Sequence, residues 1–219
     1  MKKFLVVIMA LGMMGTLAGC GNQNNESTAQ ESEPQTETSA DNTSEDMPQT
    51  ENQATAGDTT VVYFSGTGNT AAVAEDLAQV LNAPVYEIQP LEPYTEADLD
   101  YTTDDCRANE EMRDADARPE LSESMADTIA QVESSRTVYI GYPIWDGTAP
   151  RIINTFLESC DLSGKTVYTF CTSGGSGIEG SISDLQEAYP NLNIAGGQRF
   201  QAGAGQDTIR EWTDTLQSE

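Results

Sequence analysis

The sequence predicts an α/β fold, a doubly wound parallel sheet of five strands with helices on both faces. From about residue 59 onward, short apolar runs alternate with helix-like segments, and five such β–α pairs follow one another. Apolar runs of this kind are typical of strands that are buried on both faces. Their regular alternation with helices favours parallel pairing, because each crossover between parallel strands needs a long connection.

The first elements lie directly after a polar N-terminal region. An apolar run at residues 60–64 predicts strand one, and the alanine-rich residues 70–81 predict a helix immediately after it. Strand two is predicted near residues 85–89. Residues 90–119, here called the excursion, are acidic and irregular. A connection of that length is usually a functional cover or an insertion.

The remaining elements follow without another long gap. A helix near residues 123–131 precedes strand three at residues 137–141. Pro150 suits the first turn of a helix, and apolar residues follow it at helical spacing. These residues are Ile152, Ile153, Phe156 and Leu157. The last predicted elements are strand four at 166–171, a helix near 178–188, a strand near 192–195 and a helix near 206–216.

The composition excludes several kinds of chemistry. The chain has 36 acidic and 10 basic residues and a net charge of −26, which argues against nucleic acid as a partner. It contains no histidine, so histidine-based acid–base catalysis and imidazole metal ligands are absent. Cys106, Cys160 and Cys171 form no Cys-x-x-Cys pair, so no metal site is predicted. A disulfide between two of these three cysteines stays open.

The first twenty residues resemble a bacterial lipoprotein signal peptide. Lys2 and Lys3 precede an apolar stretch, which ends in the lipobox-like sequence Leu17-Ala18-Gly19-Cys20. We expect cleavage before Cys20 and its lipidation, which would anchor the protein at the outer face of the cytoplasmic membrane. A plain signal peptide with a chance cysteine is the alternative. Residues 21–58 are polar and acidic and predict a disordered tether, so the folded domain spans residues 59–219.

A hydroxyl-rich loop between strand one and its helix predicts a phosphate site. Residues 65–70, here called loop one, read Ser-Gly-Thr-Gly-Asn-Thr. Backbone amides at a helix N-terminus attract anions, and the hydroxyls of Ser65, Thr67 and Thr70 can donate further hydrogen bonds. The loop has no lysine, which separates it from a Walker loop, and it lacks the third glycine of a dinucleotide fingerprint. An ordinary capped β–α turn remains the alternative.

Three segments in order resemble the flavodoxin-like family. Loop one resembles the S/T-x-T-G-N-T loop that wraps the phosphate of FMN in that family. Residues 141–150, Gly-Tyr-Pro-Ile-Trp-Asp-Gly-Thr-Ala-Pro, resemble its loop after strand three. Residues 170–177, Phe-Cys-Thr-Ser-Gly-Gly-Ser-Gly, resemble its loop after strand four. The resemblance implies FMN as cofactor, the strand order 2-1-3-4-5, and a ligand at the carboxyl ends of the strands.

The site residues implied by this resemblance come from all three loops. The phosphate would lie against Ser65, Gly66, Thr67, Gly68, Asn69 and Thr70. The flavin ring would contact loop two (residues 143–150) through Pro143, Ile144 and Trp145. Loop three (residues 172–177) would reach the ring through Thr172, Ser173, Gly174, Gly175 and Gly177.

Several neighbouring residues admit two interpretations. Trp145 stacks on the flavin or packs beneath the excursion. Asp146 stands where many relatives carry a second tryptophan, and it either tunes the flavin potential or is a solvated carboxylate at a loop tip. Tyr142 and Cys171 are interpreted as core residues at strand ends. Residues 118–120, Arg-Pro-Glu, also resemble a motif of the family, and here Arg118 is expected only to pin the excursion through a salt bridge.

Three classes of function fit these observations. The first is an FMN-bearing electron carrier that exchanges electrons with a redox partner protein. The second is an FMN-dependent reductase that takes hydride from NAD(P)H and reduces a quinone-like acceptor. The third is a binding module that has kept the fold without the flavin. The carrier is favoured over the reductase because the chain has no second domain for a nicotinamide nucleotide and its acidic surface repels a polyanion.

Overall fold

The computed structural model describes residues 58–216, which form a parallel sheet flanked by helices. The predicted signal peptide with Cys20, and the predicted tether up to residue 57, lie outside the described residues. The strands are β1 Thr59–Tyr63, β2 Val85–Glu87, β3 Thr137–Pro143, β4 Thr166–Thr172 and β5 Ile194–Phe200. The helices are α1 Asn69–Leu81, α2 Arg107–Arg113, α3 Met125–Ser134, α4 Arg151–Ser159, α5 Glu179–Ala188 and α6 Gln206–Leu216.

The strand order confirms the predicted fold class. The five strands lie in the order β2-β1-β3-β4-β5, and every neighbouring pair is parallel. The order reverses between β1 and β3, so the loops that follow these two strands leave the same edge of the sheet in opposite directions. Ligands of doubly wound sheets bind at such a switch point, outside the carboxyl ends of the strands.

Two apolar clusters cover the sheet, one on each face. Along β1, Val61 packs into the cluster with α1 and α6, while Val62 packs into the cluster with α3, α4 and α5. The predicted apolar stripe of α4 lies entirely in the second cluster. Both faces of the sheet are therefore buried, as the unbroken apolar runs predict, and the strand ends are held in fixed positions.

The last strand differs from its prediction. It begins at Ile194 and runs to Phe200, whereas the sequence placed its end at residue 195. Gly196 and Gly197 suggest a strand end by composition, yet Gly197 is needed for close packing. A Cβ built there would lie 2.5 Å from Thr169 Oγ1 and 2.7 Å from Ile182 Cδ1. The register shift against β4 at Val167 marks a bulge, which is where glycine commonly occurs inside a strand.

The excursion contains a helix that the sequence analysis missed. Helix α2 has only seven residues, and most of them are polar or charged, so periodicity does not reveal it. Its N-cap is Cys106, whose Sγ accepts a hydrogen bond from Asn109 N at 3.4 Å, rather than one of the usual capping residues. The base of the excursion closes where Leu91 N donates to Glu120 O at 2.7 Å.

Asp58, the first residue that the structure describes, is bonded to the start of β3. The carbonyl of Asp58 accepts hydrogen bonds from the backbone N–H groups of Arg136 and Thr137, and its carboxylate pairs with the Arg136 guanidinium. These contacts attach Asp58 to the segment that leads into β3. Between residues 58 and 216, no helix has the length and apolar character needed to cross a membrane.

Candidate functional site

A cavity of about 1330 Å³ opens at the carboxyl ends of the strands. All three predicted loops contribute to its wall. The predicted residues that line it are Gly66, Thr67, Asn69, Pro143, Ile144, Trp145, Asp146, Thr172, Ser173 and Gly174. The predicted residues outside the lining are Ser65, Gly68, Thr70, Gly175 and Gly177.

Loop one is held open for an anion by its own polar groups. Gly68 has a left-handed backbone with φ of 84°, and its N–H donates to Ser65 Oγ at 3.1 Å. Asn69 Nδ2 donates to Thr67 Oγ1 at 3.1 Å, which leaves the Thr67 hydroxyl proton available. Within residues 58–216 no side chain caps the N-terminus of α1. The first amides of α1 are therefore free to bind a negatively charged group.

Thr70 joins loop one to loop three beneath the cavity. Its hydroxyl is buried and lies 2.7 Å from the hydroxyl of Thr172 at the end of β4. One of the two hydroxyls donates in this contact, and each keeps further capacity because a hydroxyl has one proton and two lone pairs. Thr70 is thus a structural link between the two loops in addition to its predicted role.

Loop two contains a tight turn, and the backbone conformation of that turn suits an aspartate at position 146. Trp145 and Thr148 exchange backbone hydrogen bonds of 3.0 Å in both directions. The two residues between them, Asp146 and Gly147, have φ values of 46° and 85°. This is the geometry of a type I′ turn, for which Asp-Gly is a preferred pair. Asp146 is exposed at the tip and also lines the cavity.

Trp145 packs beneath the excursion, as one of its two interpretations predicts, and it also lines the cavity. Its ring lies 5.5 Å from the ring of Phe64 and 5.5 Å from that of Tyr94, and both contacts are edge-to-face. Tyr94 belongs to the excursion, so the tryptophan packs beneath that segment while its indole also lines the cavity. Aromatic pairs of this kind contribute about 0.5–1.5 kcal/mol beyond area burial. The indole is consequently held in one orientation before any ligand arrives.

Loop three is positioned by β5. Ser173 N donates to Phe200 O at 3.3 Å, and Arg199 Nη1 donates to Ser173 O at 3.1 Å. Gln201 and Ala202, which follow β5 directly, line the cavity. Sequence reasoning missed Gln201 and Ala202 because it ended strand five at residue 195, whereas β5 runs to Phe200.

The excursion forms the remaining wall of the cavity. Its lining residues are Leu99, Tyr101, Asp104, Ala108, Asn109, Met112 and Arg113. It closes on loop one at Gly66, where a Cβ would lie 3.3 Å from Leu99 Cδ2 and 3.4 Å from Trp145 Cζ2. The three segments are therefore closely packed where they meet at Gly66. No motif marks these excursion residues, so the sequence analysis did not find them.

Polar contacts fix the shape of the excursion, and an ion pair joins it to α4. Tyr94 donates to Glu111 Oε2 at 2.5 Å, and Arg107 donates from Nε to Glu111 Oε1 at 2.7 Å while lying over the Tyr94 ring. Burial, followed by the hydrogen bond to Glu111, raises the pKa of Tyr94 well above its usual value. Arg118 forms an ion pair of 2.9 Å with Glu158 on α4, which confirms the predicted pin.

Tyr142 and Cys171 are core residues, as expected. Both are fully buried, and the hydroxyl of Tyr142 lies 3.1 Å from Ser181 Oγ. Burial raises the pKa of the Cys171 thiol to about 12, so it stays protonated at neutral pH. Cys106, Cys160 and Cys171 are free thiols. Among residues 58–216 no three His, Cys, Asp or Glu side chains are grouped closely enough to hold a metal ion.

Comparisons with known proteins identify the family. The family model for flavodoxin matches residues 58–216. Among solved structures, a candidate flavoprotein from Bacteroides uniformis is 43% identical with a TM-score of 0.68, covering 73% of this chain and 99% of its own. One from Bacteroides eggerthii is 41% identical with a TM-score of 0.67, covering 74% and 98% respectively.

A more distant structure shares the fold. A flavoprotein from Lactobacillus acidophilus, in complex with FMN, is 23% identical with a TM-score of 0.54, covering 71% of this chain and 97% of its own. None of the curated proteins matches the chain. On the match of the family model across the described domain, and on the two Bacteroides structures above 40% identity, this chain belongs to the flavodoxin family.

Proposed function

We propose that this protein binds one FMN non-covalently in the cavity and serves as an electron-transfer protein. The observation that carries the proposal is the convergence of three loops, from the ends of β1, β3 and β4, on one cavity beside an uncapped helix N-terminus. The related fold from Lactobacillus acidophilus holds FMN, which supports the same cofactor here.

The residues present fit FMN. The FMN phosphate is a dianion. The free amides of α1 and the Thr67 hydroxyl can donate hydrogen bonds to it, so no buried cation is needed to bind it. Gly66 leaves room for close approach, since any side chain there would meet Leu99 and Trp145. Trp145 and Ile144 offer an apolar surface to a flat ring, and Ser173 and Gly174 offer backbone groups to its polar edge.

When bound, FMN supplies the redox chemistry, and the protein's part is to bind, orient and shield it. The aromatic contacts of Trp145 fix the plane against which a ring can lie. Arg199 and Phe200 hold loop three in place through Ser173. The chain has no histidine, so no imidazole is present to move a proton during a reaction. Electron transfer requires no such group, which favours the carrier over an acid–base enzyme.

The surface beside the cavity favours a basic redox partner. The excursion, which forms one wall of the cavity, carries many exposed carboxylates, and Asp104 lines the cavity itself. The others are Glu92, Glu96, Asp100, Asp105, Glu110, Asp114 and Asp116. Such a field steers a basic protein at low ionic strength and loses its effect as salt rises. Electron exchange with a basic partner should therefore slow above physiological ionic strength.

The test of cofactor binding compares FMN with riboflavin on the full-length protein in detergent. We expect one FMN per chain with a visible flavin spectrum, and weaker binding of riboflavin because it lacks the phosphate. Equal affinities would contradict the phosphate assignment to loop one. Rapid oxidation of NADH or NADPH by the FMN-loaded protein alone would instead identify it as a reductase.

We further propose that a lipidated Cys20 anchors the protein at the outer face of the cytoplasmic membrane. The support is the sequence Leu17-Ala18-Gly19-Cys20 after an apolar segment. Cys20→Ala should leave the precursor unprocessed or release the protein from the membrane. Unchanged processing and membrane retention would exclude the anchor.

A further inference from the structure

The cavity is larger than the pockets that typically hold one small-molecule ligand. Its volume is about 1330 Å³, whereas ligand pockets typically enclose about 300–1,000 Å³. The three loops account for one side of this space, and the excursion supplies the other. The second side carries an aromatic ring, an amide, a thioether and a guanidinium, from Tyr101, Asn109, Met112 and Arg113. This wall has the composition of a ligand site rather than of a simple cover.

The wall is built as one unit. Asn109 Nδ2 donates to the carbonyls of Tyr101 and Thr103, each at 3.0 Å, which ties the segment before α2 to the helix. Arg113 Nε donates to Asn109 O at 3.1 Å one turn later. Tyr101 is nevertheless 79% exposed, the most exposed large apolar side chain in the described residues. The backbone of Tyr101 is held by Asn109 while its ring is uncovered at the cavity, and such a ring suits contact with a second flat molecule.

Arg113 is the cation of this wall that has no anionic partner. Arg107 pairs with Glu111 and Arg118 pairs with Glu158. Arg113 is surrounded in sequence by acidic residues, yet within residues 58–216 its terminal nitrogens contact no carboxylate. A guanidinium presents its terminal N–H groups as a fork that matches a carboxylate. Its free donors at the cavity are therefore available to an anionic ligand.

The position of Arg113 separates it from loop one. Arg151, in the first turn of α4, donates from Nη2 to Met112 O at 3.1 Å and thereby holds the end of α2 beside loop two. Loop one meets the excursion at a different point, through Leu99 at Gly66. Arg113 follows Met112 directly, so it stands at the point where the excursion is tied to α4 and not at its contact with loop one.

We propose that the excursion wall binds a second ligand, a planar aromatic or quinonoid monoanion, with its carboxylate or equivalent anionic oxygen on Arg113 and its ring beside Tyr101. The proposal rests on FMN occupying the three-loop side of the cavity. Asp104 and Asp146 also line the space and are exposed, so a second negative charge on the ligand would be repelled. A monoanion is therefore favoured over a dianion.

The test uses isothermal titration calorimetry on the full-length protein, with and without FMN. The probes are 2-naphthoate as the monoanion, 2-naphthamide as its neutral counterpart and 2,6-naphthalenedicarboxylate as the dianion. We expect 2-naphthoate to bind the FMN-loaded protein most tightly and to perturb the flavin spectrum. Arg113→Gln should weaken 2-naphthoate about tenfold and leave 2-naphthamide unchanged. Arg210→Gln, an exposed arginine of α6 outside the cavity, is the control and should change neither.

The outcomes separate this proposal from the one on which it rests. Failure to bind FMN would contradict the proposed cofactor, and titration of the FMN-free protein would still test the wall itself. Normal FMN binding with equal 2-naphthoate affinities in wild type and Arg113→Gln would overturn the second site. Weaker FMN but unchanged riboflavin binding in Arg113→Gln would assign Arg113 to the phosphate and would also overturn it.

Discussion

The two walls of the cavity are held in place by different forces. Loops one, two and three leave strands whose side chains are buried on both faces of the sheet. The excursion packs on the domain through the ring of Tyr94, and it is joined to α4 by polar contacts from Arg118 to Glu158 and from Arg151 to Met112 O. Its own shape depends on the bonds of Tyr94 and Arg107 to Glu111. One wall therefore depends on extensive apolar packing, and the other on fewer apolar contacts together with hydrogen bonds and charge.

This difference implies different stabilities for the two walls. Fully burying a large apolar side chain contributes about 1.5–3 kcal/mol, whereas a typical hydrogen bond contributes about 0.5–1.5 kcal/mol net and exposed ion pairs less. Local opening takes place in regions with few buried apolar contacts. The excursion should therefore open while the sheet and its loops remain folded, and the following experiments test that expectation.

The largest effect is expected in the sheet. A Cβ on Gly141 would lie 2.2 Å from the ring of Phe170, which is fully buried between β4 and the helices. Gly141→Ala should lower the free energy of unfolding by about 3 kcal/mol through overpacking. Urea unfolding measures the change. Gly205→Ala, where nothing lies within 4 Å of the added Cβ, is the control. Equal stability of the two variants would contradict tight packing at β3.

A smaller effect is expected at loop one. Thr67→Ala removes an exposed hydroxyl whose proton is free to bind the phosphate. FMN affinity should fall by about 1–3 kcal/mol, as for a hydrogen bond to a charged group, with riboflavin affinity and stability unchanged. Fluorescence titration gives both affinities. Thr208→Ala, an exposed threonine of α6, should change neither. Parallel losses for both ligands would show that Thr67 shapes the loop rather than binds the phosphate.

The packed wall could be predicted from the sequence because local pattern and burial agree there. A layered α/β fold buries apolar strands in the sheet and the apolar face of each helix against it. This rule places both the apolar run before loop one and the stripe from Ile152 to Leu157 in the core. The strand order came from the family resemblance of the three loops. The misplaced end of β5 has a physical reason, since Gly197 reflects close packing against Thr169 and Ile182 rather than a turn.

The polar wall could not be predicted in the same way. Tyr94, Arg107 and Glu111 interact across up to seventeen positions, and no periodicity links a tyrosine to a carboxylate on a short helix. Only Arg118 gave a usable expectation, which came from the resemblance of residues 118–120 to a family motif rather than from a pattern within the excursion. The acidic composition of the excursion indicates exposure, but the cavity residues Tyr101, Asn109 and Arg113 become visible only when the chain is folded.

Alkaline pH should destabilise the packed wall through Cys171. Burial raises the pKa of this thiol to about 12, compared with about 8.5 in an unfolded chain. Above pH 8.5 the unfolded chain releases the proton and the folded chain keeps it, so stability falls as pH rises toward 12. The slope approaches about 1.4 kcal/mol per pH unit. Urea unfolding between pH 8 and 10 should give a shallower slope for Cys171→Ala, and identical slopes would contradict the raised pKa.

Two native thiols allow the walls to be compared directly. Cys106 lies in the excursion and Cys171 in β4, and both are buried. Glu111→Gln weakens the contacts to Tyr94 and Arg107, and should loosen the excursion by about 1 kcal/mol. Alkylation of Cys106, followed by mass spectrometry, should become about fivefold faster, while that of Cys171 stays the same.

Glu110→Gln is the matched control for this experiment. It removes the same charge from the neighbouring position of α2, where the side chain is exposed. Its alkylation rates should equal those of the wild type. Acceleration of both thiols by Glu111→Gln would mean that the excursion and the sheet open together, which would contradict the difference between the walls.

The smallest effect is expected where the two walls meet, at the tip of loop two. Asp146 has a left-handed backbone in the Trp145–Thr148 turn, a conformation that asparagine also tolerates well. Asp146→Asn therefore removes the charge and keeps the turn. An anion beside a flavin disfavours its reduced, negatively charged form, so the variant should raise the potential of the more reduced couple. The shift should stay below about 59 mV, a tenfold change in a one-electron equilibrium, because water and salt screen an exposed carboxylate. Redox titration at low and high salt measures it, with the exposed Asp184→Asn on α5 as control. A potential equal to that of the wild type at low salt would leave Asp146 with the turn as its only role.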